Sequence, residues 1–160
     1  MSLKISNLDP DLDVVRALTA FEGDQFLLLF DSASQHRDRD ARYSILTADP
    51  VAVTRLDGAV FGQNPMGLVR EWQSSLPAIS EAEKKSLPPF CGGIAGLMSY
   101  ELGQAFEKIS CSATDDFKTP ALLAGLFDWA IVWDHIAGTV RQYVLHLHNC
   151  KMRRQDRAAW

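Results

Sequence analysis

Two long apolar segments near the end of the chain constrain its fold more than any other feature. Residues 121–133 are almost entirely apolar, and residues 139–148 alternate between apolar and polar side chains. Between them lies Asp-His-Ile-Ala-Gly at 134–138, which has the composition of a turn. Two β-type segments joined by so short a turn pair antiparallel. The sequence therefore predicts a long antiparallel hairpin.

Shorter apolar runs predict further strands. Residues 26–30 form a continuous apolar run, which favours a buried strand, and residues 43–46 form a second strand. Residues 51–55 and 59–61 flank Asp-Gly at 57–58, a dipeptide typical of a type I′ hairpin turn. Residues 92–98 carry glycines inside an apolar run, which indicates that another backbone or a ligand comes close to this strand.

Two amphipathic stretches, residues 10–21 and the stretch that begins near Pro65, predict helices. Residues 1–8 are interpreted as a leader, and residues 151–160 as the start of another helix. Helices and strands do not alternate in the manner of βαβ units, so we expect an α+β fold with a mostly antiparallel sheet and flanking helices, in a single domain over residues 1–160. The expected core residues are Phe26, Leu28, Ile94, Leu126, Ile131, Val144 and Leu145.

The charge and cysteine content exclude several classes of function. The formal net charge is −4, so the chain lacks the basic surface that binds nucleic acid or an anionic membrane. Its apolar runs are too short to span a bilayer, and no signal peptide opens the sequence. Three scattered cysteines do not form a disulfide framework, and they favour the reducing cytoplasm.

One set of side chains near the end of the chain suggests a metal site. His146, His148 and Cys150 would share one face of a strand, and His/His/Cys is a plausible zinc set. No fourth ligand is evident in the sequence, so a polar sheet face is the plainer interpretation, and we predict no metal site.

Two other groups of residues suggest a functional site, but a structural role explains each of them more simply. The glycines of residues 92–96 match no phosphate-binding loop, so they favour close packing. Ser32, with Asp31 before it and His36 after it, suggests a hydrolase, but it lacks a nucleophile elbow. A hydroxyl that bonds to nearby backbone is the plainer account of this serine.

Three blocks of sequence, in this order and spacing, resemble the N-terminal region of the chorismate-utilising enzymes. These are para-aminobenzoate (aminodeoxychorismate) synthase component I and anthranilate synthase component I. The Ser-Tyr-Glu-Leu-Gly segment at 99–103 is more similar to the para-aminobenzoate branch. The matching segments are residues 28–33 with 41–45, residues 89–103 with 106–107, and residues 120–122 with 125–130 and 134–135.

The resemblance implies a role within a longer enzyme. In this family a C-terminal chorismate-binding domain holds the catalytic residues and the Mg²⁺ ligands, and no counterpart of it is found in residues 1–160. The full-length reaction implied is amination of chorismate to 4-amino-4-deoxychorismate, with ammonia from a glutamine amidotransferase subunit. We therefore expect this chain to be inactive alone, and to associate with itself through the face that the second domain would cover. The alternative is the regulatory domain of an anthranilate synthase.

The resemblance also implies a pocket for L-tryptophan. The family's Leu-Leu-Glu-Ser element matches residues 29–32, and its Arg-Tyr-Ser element matches residues 42–44. An amino acid needs an acceptor for its ammonium, donors for its carboxylate and a flat apolar wall for its indole. Aspartate replaces the family's glutamate at position 31. A strand end packed beside a strand start is the structural alternative. The candidate ligand-binding residues are Asp31, Ser32, Arg42, Tyr43 and Ser44.

Overall fold

The computed structural model describes residues 3–32, 41–110 and 117–147. Within these residues the chain forms eight strands, three short α-helices and one 3₁₀ helix. The strands are β1 (Leu3–Asn7), β2 (Leu28–Asp31), β3 (Tyr43–Thr47), β4 (Ala52–Leu56), β5 (Gly93–Met98), β6 (Leu122–Phe127), β7 (Trp129–Asp134) and β8 (Thr139–Leu145). The helices are α1 (Val14–Ala20), α2 (Gly67–Ser75) and α3 (Glu81–Lys84), with the 3₁₀ helix at Tyr100–Ala105.

The strands form two sheets. One has five strands in the order β1-β8-β7-β3-β2, and the other has three in the order β4-β6-β5. Every strand pair is antiparallel. The predicted α+β fold with mostly antiparallel sheet is thus confirmed, but the single sheet of the prediction is replaced by two.

The division into two sheets arises at Asp128. The prediction of one strand over residues 121–133 is wrong, because this residue separates β6, in the small sheet, from β7, in the large sheet. Its carbonyl accepts a hydrogen bond from Leu145 N at 2.7 Å, which fixes the chain where it leaves one sheet for the other. The apolar sequence on both sides is explained by burial, since both strands lie in the interior of their sheets.

The hairpin of β7 and β8 is confirmed, and its turn is built by Asp134. The Oδ1 atom of this residue accepts hydrogen bonds from Ile136 N at 3.2 Å and Ala137 N at 3.0 Å. Gly138 closes the turn with a φ of 63°, a conformation that is easy only for glycine. β8 ends at Leu145, and residue 148 of the predicted strand lies outside the described residues.

Two strand predictions at other places are wrong. The predicted leader contains β1, whose five residues pair with β8 over Leu3 to Asn7. The predicted hairpin at 51–61 is replaced by β4 alone, which pairs with β6. A type I′ turn needs positive φ at both central residues, and neither Asp57 nor Gly58 has it, so the chain runs on into the loop before α2.

The segment at 26–30 also differs from the prediction of a buried strand. β2 begins only at Leu28 and lies at the edge of the large sheet, so its outer side has no strand partner among the described residues. Phe26 has a φ of 53° and is 42% exposed, outside both the strand and the core.

The core lies on both faces of the large sheet and beneath α2 on the small one. Of the predicted core residues, Leu126, Ile131 and Leu145 are buried, whereas Leu28, Ile94 and Val144 are only half-buried. The face toward α1 buries Ala17, Phe21, Leu46, Trp129, Ile131 and Trp133. The opposite face buries Ile45, Cys91, Ala130, Val132 and Tyr143, with Leu87 and Phe90 packed against them. In the small sheet Leu122 and Ala124 pack against Val69 and Trp72 of α2.

The predicted helices exist but are shorter than the apolar pattern suggests. α1 begins after Asp13, whose side chain accepts from Arg16 N as an N-cap. α2 follows Pro65 and packs Val69 and Trp72 inward, while Leu68 is exposed. The polar stretch before residue 89 forms one short helix, α3, closed by a capping box between Ser80 and Glu83. The predicted helix at 151–160 lies outside the described residues.

No helix in the described part of the chain is long and apolar enough to cross a membrane.

Close backbone approach explains one of the glycines in β5. A Cβ atom added at Gly96 would lie 2.0 Å from the carbonyl oxygen of Leu123 on the neighbouring strand β6. That atom belongs to the backbone of a central strand, so it cannot move aside. The sequence-based expectation that another backbone comes close to this strand is confirmed at this position.

We expect Gly96→Ala to destabilise the protein by about 3 kcal/mol, because the added methyl group must separate β5 from β6. Urea denaturation measures the change. Gly58→Ala is the matched control, since no atom lies within 4 Å of its added Cβ, and should change stability by no more than about 0.5 kcal/mol. Equal stability of the two variants would contradict the close approach.

The outer face of the small sheet carries apolar side chains beside one arginine, Arg55, which lies opposite Leu123 in the register. Strand alternation places Val53, Leu123 and Leu97 on the side away from α2, where Val53 is 40% and Leu97 45% exposed. Exposed apolar side chains that adjoin one another in this way are typical of an interaction surface. This face fits the self-association expected from the sequence, which stays a prediction.

We expect the chain to form dimers or larger species as its concentration rises, because each Å² of apolar surface buried contributes roughly 25 cal/mol. Leu97→Lys should weaken this association, whereas Val15→Lys, an exposed position on α1, should leave it unchanged. Light scattering over a wide concentration range measures both. A strictly monomeric wild-type chain would contradict the prediction.

Candidate functional site

The two elements of the predicted ligand site lie side by side in the large sheet. Asp31 ends β2, and its partner in the antiparallel register is Ser44 of β3. The ends of these strands border an open cleft of about 510 Å³. Four of the five predicted residues line it, and the fifth, Ser44, is fully buried. The lining residues are Phe30, Asp31, Ser32, Arg42, Tyr43, Ile45 and Pro89.

The pleat of the sheet divides these residues between its two faces. Cross-strand partners share a face, so Asp31 and Ser44 both point toward the α1 side. Phe30 and its partner Ile45 point to the opposite side, together with Tyr43. The cleft therefore lies mainly on the second face, and Asp31 contributes to its rim.

Ser44 connects Asp31 to a residue that the sequence-based prediction did not include, His135. The Ser44 hydroxyl donates to Asp31 Oδ1 at 2.5 Å, and His135 Nε2 lies 2.6 Å from the same hydroxyl oxygen. A hydroxyl has one proton, and here it is given to a carboxylate that can only accept. His135 must therefore donate from Nε2, so its neutral ring carries the proton on that nitrogen. The backbone N–H of His135 donates to the Arg42 carbonyl at 2.8 Å, which anchors the residue at the end of the sheet.

Arg42 is held on the cleft side by a two-point ion pair. Its Nε donates to Asp134 Oδ1 at 3.0 Å and its Nη2 to Oδ2 at 2.6 Å. The guanidinium carbon lies 4.8 Å from the centre of the Tyr43 ring, a cation–π contact. The Arg42 side chain remains 42% exposed, against 16% for Asp134. The ion pair thus fixes a guanidinium at the cleft while leaving part of it accessible.

The ion pair shifts the protonation equilibria of both partners. The hydrogen bonds from Arg42 hold the pKa of Asp134 below its usual range, and the hydrogen bond to Asp134 raises the pKa of Arg42. A carboxyl whose pKa is lower in the folded chain stabilises the fold above the ordinary carboxyl pKa. That contribution is lost as the pH falls through the lowered value. Asp134 therefore stabilises both the β7–β8 turn and the position of Arg42, and it loses this stabilising effect when it is protonated in acid.

The walls of the cleft are apolar and aromatic. Phe30 is 45% exposed although it lies in a strand, and its ring centre is 6.4 Å from that of Phe90. Pro89 lies beside it, and the Tyr43 ring lies beneath the guanidinium. Such walls suit a flat ring, as the resemblance implies for an indole.

The other chemistries suggested by the sequence find no support in the described residues. His146 is exposed just after β8, whereas His36, His148 and Cys150 lie outside these residues. No three His, Cys, Asp or Glu side chains within 3–32, 41–110 and 117–147 could hold a metal ion.

The hydrogen bonds of Ser44 also run in a different direction from those in a hydrolase triad. A nucleophilic serine gives its proton to the histidine, whereas here the proton goes to Asp31. The buried Ser44 has no access to a substrate. Gly92 serves close packing, since a Cβ there would lie 2.8 Å from Leu145 Cδ1, whereas Gly93 has a φ of 127°, which favours glycine.

A second cleft, of about 400 Å³, lies where the segment after α2 meets the end of β8. Cys91 lines it, and burial raises the pKa of this thiol to about 11. The thiol is therefore neutral at physiological pH and a poor nucleophile. The remaining lining is mostly leucine and proline, with Lys84 as its one charged side chain, so the cleft offers few side-chain groups that could orient a ligand.

We expect NMR to find the neutral His135 ring protonated on Nε2, because the only proton of Ser44 is given to Asp31. Long-range proton–nitrogen correlation at mildly alkaline pH reports the tautomer, and His135→Gln assigns the signal. Ser44→Ala should release the ring to a mixture of tautomers, while His146→Gln serves as the control that leaves the signal unchanged. A ring protonated on Nδ1 in the wild-type chain would contradict the assignment.

Comparison with known proteins identifies relatives of two kinds. No protein-family model matches the chain. Aminodeoxychorismate synthase component 1 of Salmonella typhimurium is 31% identical over 105 residues, which cover 59% of this chain and 23% of that protein. The protein of the same name from Bacillus subtilis is 29% identical over 134 residues, covering 72% and 28%. Anthranilate synthase component 1 of Mycobacterium tuberculosis is 30% identical over 148 residues, covering 85% and 28%.

A solved structure supports the fold. The crystal structure of anthranilate synthase component I from Streptococcus pneumoniae superimposes with a TM-score of 0.54 at 21% identity, over 96% of this chain and 34% of that one. The chain thus spans about a quarter to a third of the length of these relatives. The motifs at the strand ends, the two-sheet fold and these matches agree, and the chain belongs to the chorismate-utilising superfamily as a homologue of component 1 of the aminodeoxychorismate and anthranilate synthases.

Proposed function

We propose that this chain is the N-terminal domain of an aminodeoxychorismate synthase component 1. The observation that carries the proposal is its similarity to proteins of that name from several bacteria, among them Salmonella typhimurium and Bacillus subtilis. The whole enzyme would aminate chorismate to 4-amino-4-deoxychorismate on the route to para-aminobenzoate and folate. The catalytic residues and the Mg²⁺ ligands would belong to a C-terminal chorismate-binding domain, so residues 1–160 would be inactive alone.

Within that enzyme we assign the domain a ligand-binding role. The cleft at the ends of β2 and β3 would hold L-tryptophan, with its indole against the aromatic walls and its polar groups near Ser32 and Arg42. The support is geometric. The cleft brings a fixed guanidinium, a hydroxyl and exposed aromatic rings into one place. Ser44 would act indirectly, since it is buried.

The proposed enzyme also requires a partner. The relatives are named as component 1, which implies a second component. We assign that component to a glutamine amidotransferase that supplies ammonia, and we place the assembly in the cytoplasm. The apolar outer face at Val53, Leu123 and Leu97 would then be covered within the whole enzyme.

The alternative is the tryptophan-binding regulatory domain of an anthranilate synthase component 1. The protein of that name from Mycobacterium tuberculosis aligns with 85% of this chain, more than either aminodeoxychorismate relative described above. Because the reaction is expected to be set by the catalytic domain, the alternative differs in the chemistry of the whole enzyme and not in the role of this domain.

Two measurements test the proposal. The coding sequence that adjoins this segment should continue into a chorismate-binding domain of the aminodeoxychorismate type. A domain of the anthranilate type would favour the alternative, and neither type would overturn both. The purified chain, given chorismate, ammonia and Mg²⁺, should form no 4-amino-4-deoxychorismate. Turnover by the chain alone would contradict the assignment of catalysis to another domain.

A further inference from the structure

A short segment between α3 and β5, residues 88–92, separates the two clefts on the face of the large sheet opposite α1. Pro89 lines both clefts, and the rest of the segment lines the second cleft. The first cleft lies at the ends of β2 and β3, whereas the second reaches Leu145 of β8 on the other half of the sheet. We call residues 88–92 the strap, because it crosses the sheet with open space on both sides.

The strap makes no backbone hydrogen bonds to either sheet. Pro88 and Pro89 have no N–H to donate, and within the described part of the chain no backbone–backbone hydrogen bond involves positions 88–92. The Cys91 thiol lies 3.7 Å from the Pro88 carbonyl oxygen, a weak contact inside the strap itself. A segment without such bonds can therefore leave the sheet without breaking the ladder of any strand.

Side-chain packing alone holds the strap on the sheet. Cys91 is 7% exposed and belongs to the buried cluster of this face, and Phe90 packs against the same cluster. Phe90 is only half-buried, and its ring meets that of Phe30, which is itself 45% exposed, at the border of the first cleft. Few buried apolar contacts are the mark of a region that opens locally, at a lower free energy than the whole fold.

The two ends of the strap suit a hinge. Gly92 and Gly93 have φ values of 105° and 127°, which favour glycine. At the other end the Leu87 N–H donates to the Lys84 carbonyl at 3.3 Å, which attaches the chain to α3 directly before Pro88. Hinges are a few residues at the ends of elements that absorb a change of φ and ψ. The strap can thus move while α3 and β5 keep their positions.

We propose that the strap opens as a local unit and joins the two clefts across the face of the large sheet. The closed strap buries Cys91, and the open strap exposes this thiol and the cluster beneath it to water. Neither sheet has to come apart, so the opening is separate from global unfolding. A molecule that contacts the strap from either cleft shifts this equilibrium, because it binds the open and closed states with different affinity.

The Cys91 thiol reports the opening in the full chain. The variants Cys111→Ser and Cys150→Ser leave it as the single thiol, and mass spectrometry follows its alkylation by iodoacetamide. Burial raises the pKa of Cys91 to about 11, so the closed state reacts slowly, whereas an exposed thiol has a pKa of about 8.5. Between zero urea and the start of the unfolding transition, the rate should change by less than about twofold, because local opening exposes little surface.

Two results of this measurement would overturn the proposal. An alkylation rate that rises with urea as steeply as global unfolding would mean that Cys91 is uncovered only when the whole chain unfolds. Alkylation as fast as that of a small free thiol would mean that the strap does not cover Cys91 at all. A rate that is slow and independent of urea supports the local opening.

Variants locate the opening at the strap. Phe90→Ala should speed alkylation at least about tenfold, because it removes packing that exists only in the closed state. Ile131→Val is the control, since Ile131 is buried in the cluster on the opposite face of the sheet. It should lower the urea midpoint of unfolding and change alkylation by less than about twofold. Equal acceleration in both variants, or none in folded Phe90→Ala, would overturn the proposal.

A milder variant keeps the test decisive if Phe90→Ala does not fold. Phe90→Leu retains an apolar side chain, so it should fold and speed alkylation by about threefold. Thermal unfolding verifies the fold of each variant, and unchanged alkylation in folded Phe90→Leu would overturn the proposal. No ligand is needed, so failure of this test leaves the proposed ligand-binding role intact, and failure of that role leaves the opening of the strap intact.

Discussion

Both sheets depend on the passage of the chain through Asp128, where one apolar segment leaves the small sheet and enters the large one. β6 is the middle strand of the three-stranded sheet, and β7 is the middle strand of the five-stranded sheet. Hydrogen bonds on either side of Asp128 fix the position of the chain there. Thr47 Oγ1 donates to the Trp129 carbonyl at 2.7 Å, Trp129 Nε1 donates to the Ala48 carbonyl at 3.0 Å, and Val51 N donates to the Leu126 carbonyl at 2.8 Å. Every other strand pairs directly or through a neighbour with one of these two, so their relative position sets that of the rest.

The candidate site follows from that arrangement. Because the strands are antiparallel, the end of β2, the start of β3 and the end of β7 lie next to one another at the same end of the sheet. Each contributes one polar group to the α1 side, Asp31, Ser44 and His135, and these form a hydrogen-bonded chain. The start of β3 and the end of β7 contribute a second set to the other side, the ion pair of Arg42 with Asp134. The same end of the sheet thus carries a carboxylate bonded to Ser44 through one oxygen and an accessible guanidinium.

This arrangement bears on what the proposed ligand-binding cleft can recognise. The hydrogen-bonded chain is centred on the buried Ser44 hydroxyl and is restrained, because loosening either neighbour leaves that hydroxyl with one partner fewer. An exposed guanidinium held by a buried-side carboxylate is oriented but still has donors to offer. Of the residues that the family resemblance assigns to one pocket, four line the cleft, Asp31, Ser32, Arg42 and Tyr43, whereas the buried Ser44 sets their surroundings.

Local patterns in the sequence determined those features whose physical cause lies within a few residues. The β7–β8 hairpin is one, since Asp134 and Gly138 build its turn locally. The helix after Pro65 is another, because its inward face repeats at helical spacing. The family resemblance likewise located the strand ends that border the cleft.

Only the tertiary structure decided the features that depend on distant partners. β1 forms because β8 offers it a free edge, and the apolar run over residues 121–133 divides because two sheets need a central strand. His135 joins the site through Ser44, which is 91 positions earlier in the chain. The face to which Asp31 points depends on the register of β2 against β3. Hydrophobic periodicity records that a side chain is buried or exposed, whereas pairing and register, which set the chemistry of this cleft, are decided by which segments meet in space.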